Sequence, residues 1–269
     1  MSGTEDLGGL RREIDEIDAA ILALLGRRMA VCRRVARVKA GSGAGVIQPA
    51  RVREVLATRR AWAGEHGVDP AFADQIFRVL LAETHRIELA EWASGPAAAS
   101  RATQAGAAPR DVHGAPTSDP LSDLATVACR IDHVVVAVAT LEPAVAFLRT
   151  LGFAVHRTAD AGIVTCEAGG VSVVLVGAGD AAVDAHLAAH GSGVQHIAVE
   201  VLDAGHVREA LVRAGVPLLT EVVVDSDGHA QVFTVLDPST GVQLGFISRR
   251  GSRVPVGGQN VRALFRALR

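Results

Sequence analysis

The stretch that decides the fold of the first third of the chain is residues 10–39, LRREIDEIDAAILALLGRRMAVCRRVARVK. Its apolar residues recur at steps of three and four, which places them on one face of an α-helix. Gly26 is its one glycine and it contains no proline, so the pattern predicts a single helix of about 45 Å. A helix of this length exposes an apolar face unless a partner covers it. We therefore expect a homodimer in which the first helices interlock.

Two shorter helices are predicted after the first. Pro49 is a favourable residue for the first turn of the second helix. Asp69 and Pro70 form a start signal for the third, in which Asp69 caps and Pro70 occupies the first helical position. Residues 1–93 are therefore predicted to form a three-helix domain.

The pattern changes after the helices. Residues 94–126 are rich in small residues and proline, which predicts a flexible linker. In residues 127–269, DHVVVAVATLEPAVAFLRTLGF (132–153) is echoed by QHIAVEVLDAGHVREALVRAGV (195–216). An internal repeat of about 60 residues, each copy read as βαβββ, predicts an α+β domain. The fold class expected for the whole chain is multidomain, α followed by α+β.

Composition excludes several classes of protein. The net charge of −2 and the 21% of charged residues provide no bulk attraction to nucleic acid or to a membrane surface. The three cysteines are far apart and form no CxxC motif, which is typical of a reducing compartment. Neither a signal peptide nor an apolar run of about 18 residues is present in the sequence. We expect a cytoplasmic protein that acts on a small molecule, without a nucleic-acid or membrane partner.

Cationic residues recur at defined positions of the helical domain. Lys39 is the single lysine in a Lys+Arg total of 27. Arg28 lies 11 residues before it, three helical turns to within about 20°, so both occupy one stripe. Arg11 lies 17 residues before Arg28, about 25 Å away on a straight helix, and could join them only from a second chain. A solvated helix face explains any one arginine, but several cations around a narrow pocket suit a small polyanion.

Two further segments complete this set. Arg51 is contributed by the second helix, and Thr84 and Glu88, at i and i+4, share a face of the third. The stretches at 10–39 and 51–88 together closely resemble the all-helical chorismate mutases and, equally, their relatives the isochorismate-pyruvate lyases. The resemblance covers residues 7–92 and implies an intertwined dimer that needs no cofactor.

The resemblance also implies a role for each cation. Arg11 of one chain and Arg28 of the other would hold the two carboxylates of chorismate or isochorismate, and Arg51 would be a further substrate contact. Lys39 would bond the ether oxygen that becomes negative as the C–O bond breaks. Such catalysis is electrostatic and places fixed charge where the transition state needs it. A lysine is a compact point charge, whereas an arginine presents a broad fork.

Two positions depart from the common mutase pattern. Mutases often carry a glutamate where this chain has Val52, and the lyases are apolar there. Position 88 is glutamate instead of glutamine, so Glu88 must be protonated if it is to donate a hydrogen bond to the ether oxygen. Conversion of chorismate to prephenate is the favoured activity. Isochorismate-pyruvate lyase and a mutase for 4-amino-4-deoxychorismate are the alternatives.

Two histidines occupy matching positions in the βαβββ repeats. His133 and His196 each lie early on the first strand of a repeat. A lone strand histidine is more often a core residue, but two imidazoles and a carboxylate suit a divalent metal such as non-haem iron. The segments GSGVQHIAVEV (191–201) and GGQNVRALFRAL (257–268) resemble the vicinal oxygen chelate superfamily, in particular 4-hydroxyphenylpyruvate dioxygenase and hydroxymandelate synthase.

This second resemblance implies a metal site that lacks one ligand. The family's third ligand is a glutamate on the last strand, where this chain has Gly245. Gln195 and Gln231 match glutamines that contact substrate in the dioxygenases. Three interpretations stay open. A carboxylate of the substrate, a halide or water completes a two-histidine site; an acid from DSDGH (225–229) moves in; or the domain binds no catalytic metal and is an aromatic-acid sensor that regulates the first domain.

Overall fold

The computed structural model describes residues 6–42, 47–94, 120–157, 160–250 and 258–268. The helical half consists of α1 (Leu7–Ser42), α2 (Pro49–Glu65) and α3 (Pro70–Ser94). The start signals are confirmed, because Pro49 begins α2 and the Phe72 N–H donates to Asp69 Oδ1 at 2.7 Å. Within the described ranges, every helix is too short or too polar to cross a bilayer.

The three helices do not form a closed bundle. The C-terminal half of α1 packs side by side with α3, and α2 packs on α3 as well. The N-terminal half of α1 is exposed from residue 10 to residue 24. Large apolar side chains stand on this exposed segment, among them Ile14, Ile17 and Leu24 at 56%, 52% and 63% exposure. An isolated helical segment with such a face is marginally stable in water, so a covering partner stays the prediction.

The second half of the chain folds as the predicted double βαβββ unit. Its first repeat comprises β1 (Ala128–Val138), α5 (Leu141–Thr150), β2 (Ala154–Arg157), β3 (Ile163–Ala168) and β4 (Val171–Gly177). The second comprises β5 (Gly193–Val201), α7 (Ala204–Arg213), β6 (Val223–Val224), β7 (Ala230–Phe233) and β8 (Leu244–Ser248). Helix α6 (Ala181–His190) joins the repeats, and α8 (Gly258–Ala267) follows them.

The eight strands form one sheet in the order β2-β3-β4-β1-β5-β8-β7-β6. Each repeat contributes one half, and the halves meet where β1 and β5 pair antiparallel. In that pair His133 lies opposite Ala198, and Val135 lies opposite His196. The two pairs exchange under a local two-fold axis, so the register makes His133 and His196 equivalent. The internal repeat is therefore confirmed at the level of single residues.

Part of the predicted linker is ordered as a helix. Residues 95–119 of the segment 94–126 lie outside the described residues, but Pro120–Val127 form helix α4. Leu124 is half-buried and Val127 is fully buried, and both contribute to one apolar core cluster. These two side chains, three residues apart, give the last turns of the segment a face to bury. The small-residue composition that predicted a flexible linker extends only to the residues before α4.

The two domains share a hydrophobic core. Val52, Leu56 and Ala82 from the helical domain lie in one buried cluster with residues of the sheet domain. The members from the second half are Val127, Val201, Leu202, Val207, Leu211, Val232 and Phe246. Arg78 of α3 reinforces the contact by donating to the backbone carbonyls of Ala125 and Ala128 at 2.9 and 2.7 Å. Unfolding of one domain therefore exposes apolar surface of the other.

This shared core predicts that the helical domain reports on damage to the sheet domain. Both tryptophans of the chain, at positions 62 and 92, lie in the helical domain. Leu211→Ala removes a side chain that is 4% exposed and should lower the free energy of unfolding by about 2–5 kcal/mol. The midpoint of urea unfolding followed by tryptophan fluorescence should fall accordingly.

The neighbouring position provides a matched control. Val212 lies next to Leu211 on α7 but is 53% exposed, so Val212→Ala should leave the midpoint nearly unchanged. Domains that unfold independently would show a different result. The tryptophan transition of Leu211→Ala would then coincide with that of the parent protein while circular dichroism showed an earlier loss of structure.

Candidate active site and candidate metal centre

The interface of α1 and α3 brings together four of the predicted site residues. Lys39 Nζ donates to Glu88 Oε2 at 2.8 Å, and the side chains are 19% and 8% exposed. Three turns earlier on α1, Arg28 Nη1 donates to Thr84 Oγ1 at 2.6 Å. The 11-residue spacing therefore puts both cations on one stripe of α1, and this stripe packs against α3.

The contacts of Arg28 are to neutral oxygen atoms. Its Nη1 also lies 3.4 Å from the carbonyl oxygen of Leu80. The Thr84 hydroxyl donates to the same carbonyl at 2.7 Å, which fixes the threonine oxygen as the acceptor for Arg28. Since neither Leu80 O nor Thr84 Oγ1 carries a formal charge, the guanidinium keeps its positive charge available for an anion.

Arg11 and Arg51 do not join this group within one chain. Arg11 lies on the exposed N-terminal half of α1. Arg51 is 57% exposed and forms an ion pair with its helix neighbour Glu54 at 2.7 Å. A pair of this exposure contributes little to stability, so Arg51 can exchange its partner for a substrate carboxylate at small cost.

Arg59 is a further cation that the sequence reasoning missed. Burial lowers the pKa of its guanidinium, and the positive charges of Arg51 and Arg28 lower it further. The guanidinium stacks over the Trp62 ring at 4.7 Å, and its Nε is buried with no hydrogen-bond partner among the described residues. The eight-residue spacing from Arg51, close to two helical turns, was the signal that could have placed both on one side of α2.

Val52, one of the two departures from the mutase pattern, has a packing role in this structure. It is 8% exposed and belongs to the core shared with the sheet domain. The second departure, Glu88, is engaged with Lys39 as a hydrogen-bond acceptor. The apolar residue at position 52 is thus explained by burial against the second domain as well as by any preference for a substrate.

The second candidate site lies on one face of the eight-stranded sheet. Ala198 pairs with both His133 and Gly245, so these residues share a face. Gly245 also pairs with Phe233, which brings in Gln231, two residues earlier on the same strand. By the two-fold relation, Gly245 corresponds to Val174, which pairs with Val135. The register therefore makes Gly245 and Val174 equivalent positions of the two repeats, and neither residue offers a ligand atom.

His133 is oriented by a buried ion pair. Its Nδ1 lies 2.6 Å from Asp132 Oδ2, and Arg249 Nε donates to Asp132 Oδ1 at 2.9 Å. Burial opposes ionisation of Asp132, but the hydrogen bonds from His133 and Arg249 outweigh it and hold the pKa of this carboxyl well below its usual value. A carboxylate accepts, so Nδ1 of His133 carries the proton. Its buried Nε2 has no hydrogen-bond partner among the described residues.

His196 is oriented by a chain of amides. Gln243 Nε2 donates to the backbone carbonyl of Thr234 at 2.8 Å, and Gln195 Nε2 donates to Gln243 Oε1 at 2.6 Å. Gln195 Oε1 then lies 2.6 Å from His196 Nδ1. Because a carbonyl can only accept, the direction of every bond in the chain is set, and Nδ1 of His196 is the donor. Burial lowers the pKa of His196 well below its ordinary value, so its Nε2 offers a lone pair.

These two histidines are suited to be ligands of a metal ion. Each Nδ1–H is bonded to an oxygen, which is the arrangement that orients metal-binding imidazoles. Each Nε2 is buried and has no hydrogen-bond partner in the described part of the chain, and the ring centroids are 5.6 Å apart. The fit does not extend to a carboxylate at position 245. A Cβ there would lie 2.8 Å from Gln231 Nε2 and 3.1 Å from the Phe233 ring.

The two glutamines predicted to contact substrate differ in what surrounds them. Both ends of the Gln195 amide are engaged by His196 and Gln243, so this residue positions a histidine instead of presenting a free amide. Gln231 is fully buried, and its amide nitrogen and oxygen have no hydrogen-bond partner among the described residues. Gln231 therefore keeps both atoms available to a ligand.

The acids of DSDGH form a separate group. Asp225, Asp227 and His229 offer ligand atoms within 4.8 Å of one another. Asp225 Oδ1 already accepts from the backbone N–H groups of Asp227 and His229 at 3.0 and 2.8 Å. This pattern is that of a turn stabilised by an aspartate side chain. The group does not include His133 or His196, so the arrangement offers no support for an acid that moves into the two-histidine site.

A cavity of about 300 Å³ lies between α6, α8 and the sheet. Gln195 and Gln243 of the amide chain line it, together with His186 and Phe265. Arg262 holds α8 in place through ion pairs with Asp160 and with Asp180, the latter at 3.1 Å. The cavity thus adjoins the residues that orient His196.

Comparison with protein families divides the chain as its structure does. Residues 10–89 match the family of type II chorismate mutases. Residues 130–246 match the glyoxalase/bleomycin resistance protein/dioxygenase superfamily. Among solved structures, a methylmalonyl-CoA epimerase of Streptomyces coelicolor is 27% identical, with a TM-score of 0.36 over 44% of this chain and 95% of the other.

Two curated relatives match the helical domain over most of their length. A 4-amino-4-deoxychorismate mutase of Streptomyces pristinaespiralis is 34% identical, over 40% of this chain and 84% of that protein. An isochorismate pyruvate lyase of Pseudomonas aeruginosa is 39% identical, over 30% of this chain and 82% of that protein. The chain therefore belongs to the type II chorismate mutase family through its helical domain, which makes it an enzyme, and carries a glyoxalase-superfamily domain after it.

Proposed function

We propose that the helical domain rearranges chorismate to prephenate. The observation that carries the proposal is the pairing of Arg28 with Thr84 and of Lys39 with Glu88 across one helix interface. Two cations on one stripe, with a hydroxyl and a carboxyl opposite them, can bind a compact dicarboxylate that carries an ether oxygen. The family match supports a substrate of this class.

The proposed mechanism is electrostatic and uses no covalent intermediate. Arg28, whose charge is held by neutral acceptors, binds a substrate carboxylate and fixes the reactive conformer. Lys39 leaves Glu88 for the ether oxygen as negative charge develops there. Glu88, once protonated, donates a second hydrogen bond to the same atom. The side chains are largely shielded from water, which strengthens each of these interactions.

We infer that Arg11 enters the site from a second copy of the chain. The N-terminal half of α1 is exposed on all sides within one chain, and it carries both Arg11 and the apolar residues Ile14, Ile17 and Leu24. A second α1 that covers this face brings the partner's cation to a site that already holds Arg28. Arg51, which has an exposed carboxylate partner, is the proposed contact from α2.

A 4-amino-4-deoxychorismate mutase is the second candidate. The relative from Streptomyces pristinaespiralis has that name, and the helical site holds no glutamate at position 52 to bond a ring hydroxyl. Incubation of the purified protein with chorismate, isochorismate and 4-amino-4-deoxychorismate in turn, with identification of products, separates the activities. Prephenate from chorismate as the most efficient reaction supports the first proposal, and salicylate with pyruvate from isochorismate would replace it.

For the second domain we propose a divalent metal, such as iron, bound by His133 and His196. Such an ion supplies Lewis-acid or redox chemistry when it is bound. The residues of this chain hold the two imidazoles in the tautomer that leaves Nε2 free, and they exclude water from both rings.

Regulation of the mutase by the second domain is a further candidate, supported by the core that Leu56 and Ala82 share with the sheet domain and by one buried histidine. His85 follows Thr84 on α3, and burial lowers its pKa to about 4, against the opposing charge of Asp203 and with the help of Lys39 and Arg250. It therefore lies between a mutase-site cation and charges of the sheet domain. An aromatic 2-oxo acid that binds the second domain should then change the mutase rate, and a constant rate would contradict a sensor role.

Lys39→Arg should keep the fold and the charge but reduce kcat for chorismate by about 10²–10³, since the broad guanidinium cannot approach one ether oxygen as an ammonium does. Steady-state kinetics measure the loss. Arg37→Lys is the matched control, because Arg37 is 60% exposed two residues away, and its activity should be normal. Near-normal turnover in Lys39→Arg would remove Lys39 from the mechanism.

Glu88→Gln and Glu88→Leu should separate in activity. The amide of glutamine donates to the ether oxygen without taking up a proton, and it leaves the charge of Lys39 unpaired, so kcat/KM at neutral pH should hold or rise. Leucine cannot donate and should lower kcat by about 10²–10³. Equal losses in both variants would show that Glu88 serves only as the ion-pair partner of Lys39.

Arg11→Ala and Lys39→Ala should complement each other when mixed. In a mixed dimer, one of the two sites receives an intact Arg11 and an intact Lys39, so random exchange should restore about a quarter of the parent activity. Each variant alone should be nearly inactive. Activity of the mixture equal to the mean of the separate variants would contradict a site built from two chains.

A further inference from the structure

The side chain of Gln231 lies beside Gly245, the position at which the second domain lacks a metal ligand. Its strand β7 pairs with β8, and the residue two positions after it, Phe233, lies opposite Gly245. A side chain at position 245 would begin 2.8 Å from Gln231 Nε2. Gly245 is therefore the residue that leaves room for the Gln231 amide, and the amide occupies the space that a larger residue there would need.

The Gln231 amide is an uncompensated buried polar group. The side chain is fully buried, and both Nε2 and Oε1 have no hydrogen-bond partner among the described residues. An amide buried without partners costs roughly 1–3 kcal/mol. The Nε2 atoms of His133 and His196 on the same face are orphaned as well. On one face of the sheet, three buried side chains thus each present a polar atom that has no hydrogen-bond partner among the described residues, which indicates a ligand that serves them together.

The chemistry of these three side chains favours a cation as the ligand. Both histidines are held as Nδ1–H tautomers, so each Nε2 can only accept or coordinate. Two buried acceptors whose rings are 5.6 Å apart suit a positive ion that both can coordinate. The amide oxygen is a ligand that divalent cations take in proteins, and the amide nitrogen can at the same time donate to a second ligand of the ion.

We propose that the side-chain amide oxygen of Gln231 replaces the missing carboxylate and completes, with His133 and His196, an uncharged ligand set that binds a divalent cation together with a small bidentate anion. This inference rests on the proposed metal site in the second domain and is independent of the mutase activity. Gln231 is then a ligand of the metal ion and not only a residue that contacts a substrate.

The need for an anion follows from the net charge of the proposed metal site. Two neutral imidazoles and an amide leave the full double charge of the ion uncompensated, and Asp132 is already neutralised by Arg249. An uncompensated charge in a buried site is costly. An anion that chelates the ion through two oxygen atoms removes this cost. Thr165, whose pairing with Val174 places it on the same face, has a buried hydroxyl without a described hydrogen-bond partner that can bond the anion.

Binding of the ion and of the anion must then be mutually dependent. If bound anion raises the affinity for the ion by some factor, bound ion raises the affinity for the anion by the same factor. A carboxylate at position 231 should abolish most of this dependence, because it supplies the negative charge within the protein. The substitution Gln231→Glu is nearly isosteric and tests this point without opening a cavity.

The experiment is a titration of the metal-free full-length protein with Co(II), followed by visible absorption and calorimetry, with and without oxalate as the bidentate anion. The parent protein should bind one Co(II) per chain, at least about tenfold more tightly with oxalate. Gln231→Leu should weaken binding roughly 10–100-fold, the range found when metal-site support is removed. Gln231→Glu should bind Co(II) more tightly and respond little to oxalate. His196→Ala should abolish binding.

Asp227→Asn is the matched control, because Asp227 is an exposed member of the other group that could hold a metal. Its Co(II) affinity should equal that of the parent protein. The proposal is overturned if the parent protein binds no Co(II), if binding is lost in Asp227→Asn, or if both Gln231 variants bind as the parent does. Thermal unfolding of each variant, with and without Co(II), reports on folding, and the rise in Tm caused by Co(II) should be largest for Gln231→Glu.

Discussion

The antiparallel pairing of β1 with β5 is the constraint on which the second half of the molecule depends. It joins two βαβββ repeats into one sheet, and its register sets His133 opposite Ala198 and His196 opposite Val135. A slip of one residue would turn every side chain of one strand to the other face. The same register places Gly245 beside Ala198, so the empty third ligand position and the two histidines are fixed by one set of strand pairs.

The shared core extends this constraint to the helical domain. Leu56 and Ala82 pack with Leu211 and Phe246 in one cluster, so α2 and α3 are held by the back of the sheet. Helix α3 carries Thr84 and Glu88 of the proposed mutase site, while Ala82 of the same helix packs in the core shared with the second domain. A shift of Leu211 or Phe246 would therefore change the packing of α2 and α3.

The buried polar side chains of the two candidate sites differ in their hydrogen-bond partners. In the helical domain, Lys39 and Glu88 form an ion pair with each other across the helix interface. In the sheet domain, Asp132 and the Gln195 amide satisfy only the outer nitrogen of each histidine. The inner nitrogen atoms are left without a partner among the described residues. That asymmetry is what directs the second site toward a ligand from outside.

The sequence by itself determined the order and type of the elements and much of the first site. The spacing placed Arg28 and Lys39 on one face of α1, and Thr84 and Glu88 on one face of α3, because a helix converts sequence distance into direction. The repeat likewise predicted that His133 and His196 are equivalent, and the family resemblance drew attention to Gly245. Only the tertiary structure decided the rest. Helix α4 and the shared core depend on contacts between distant segments. The tautomer of His196 depends on the chain of hydrogen bonds that begins at Thr234, and the space that Gly245 leaves for Gln231 depends on strand register. These three kinds of contact have no local signal in the sequence.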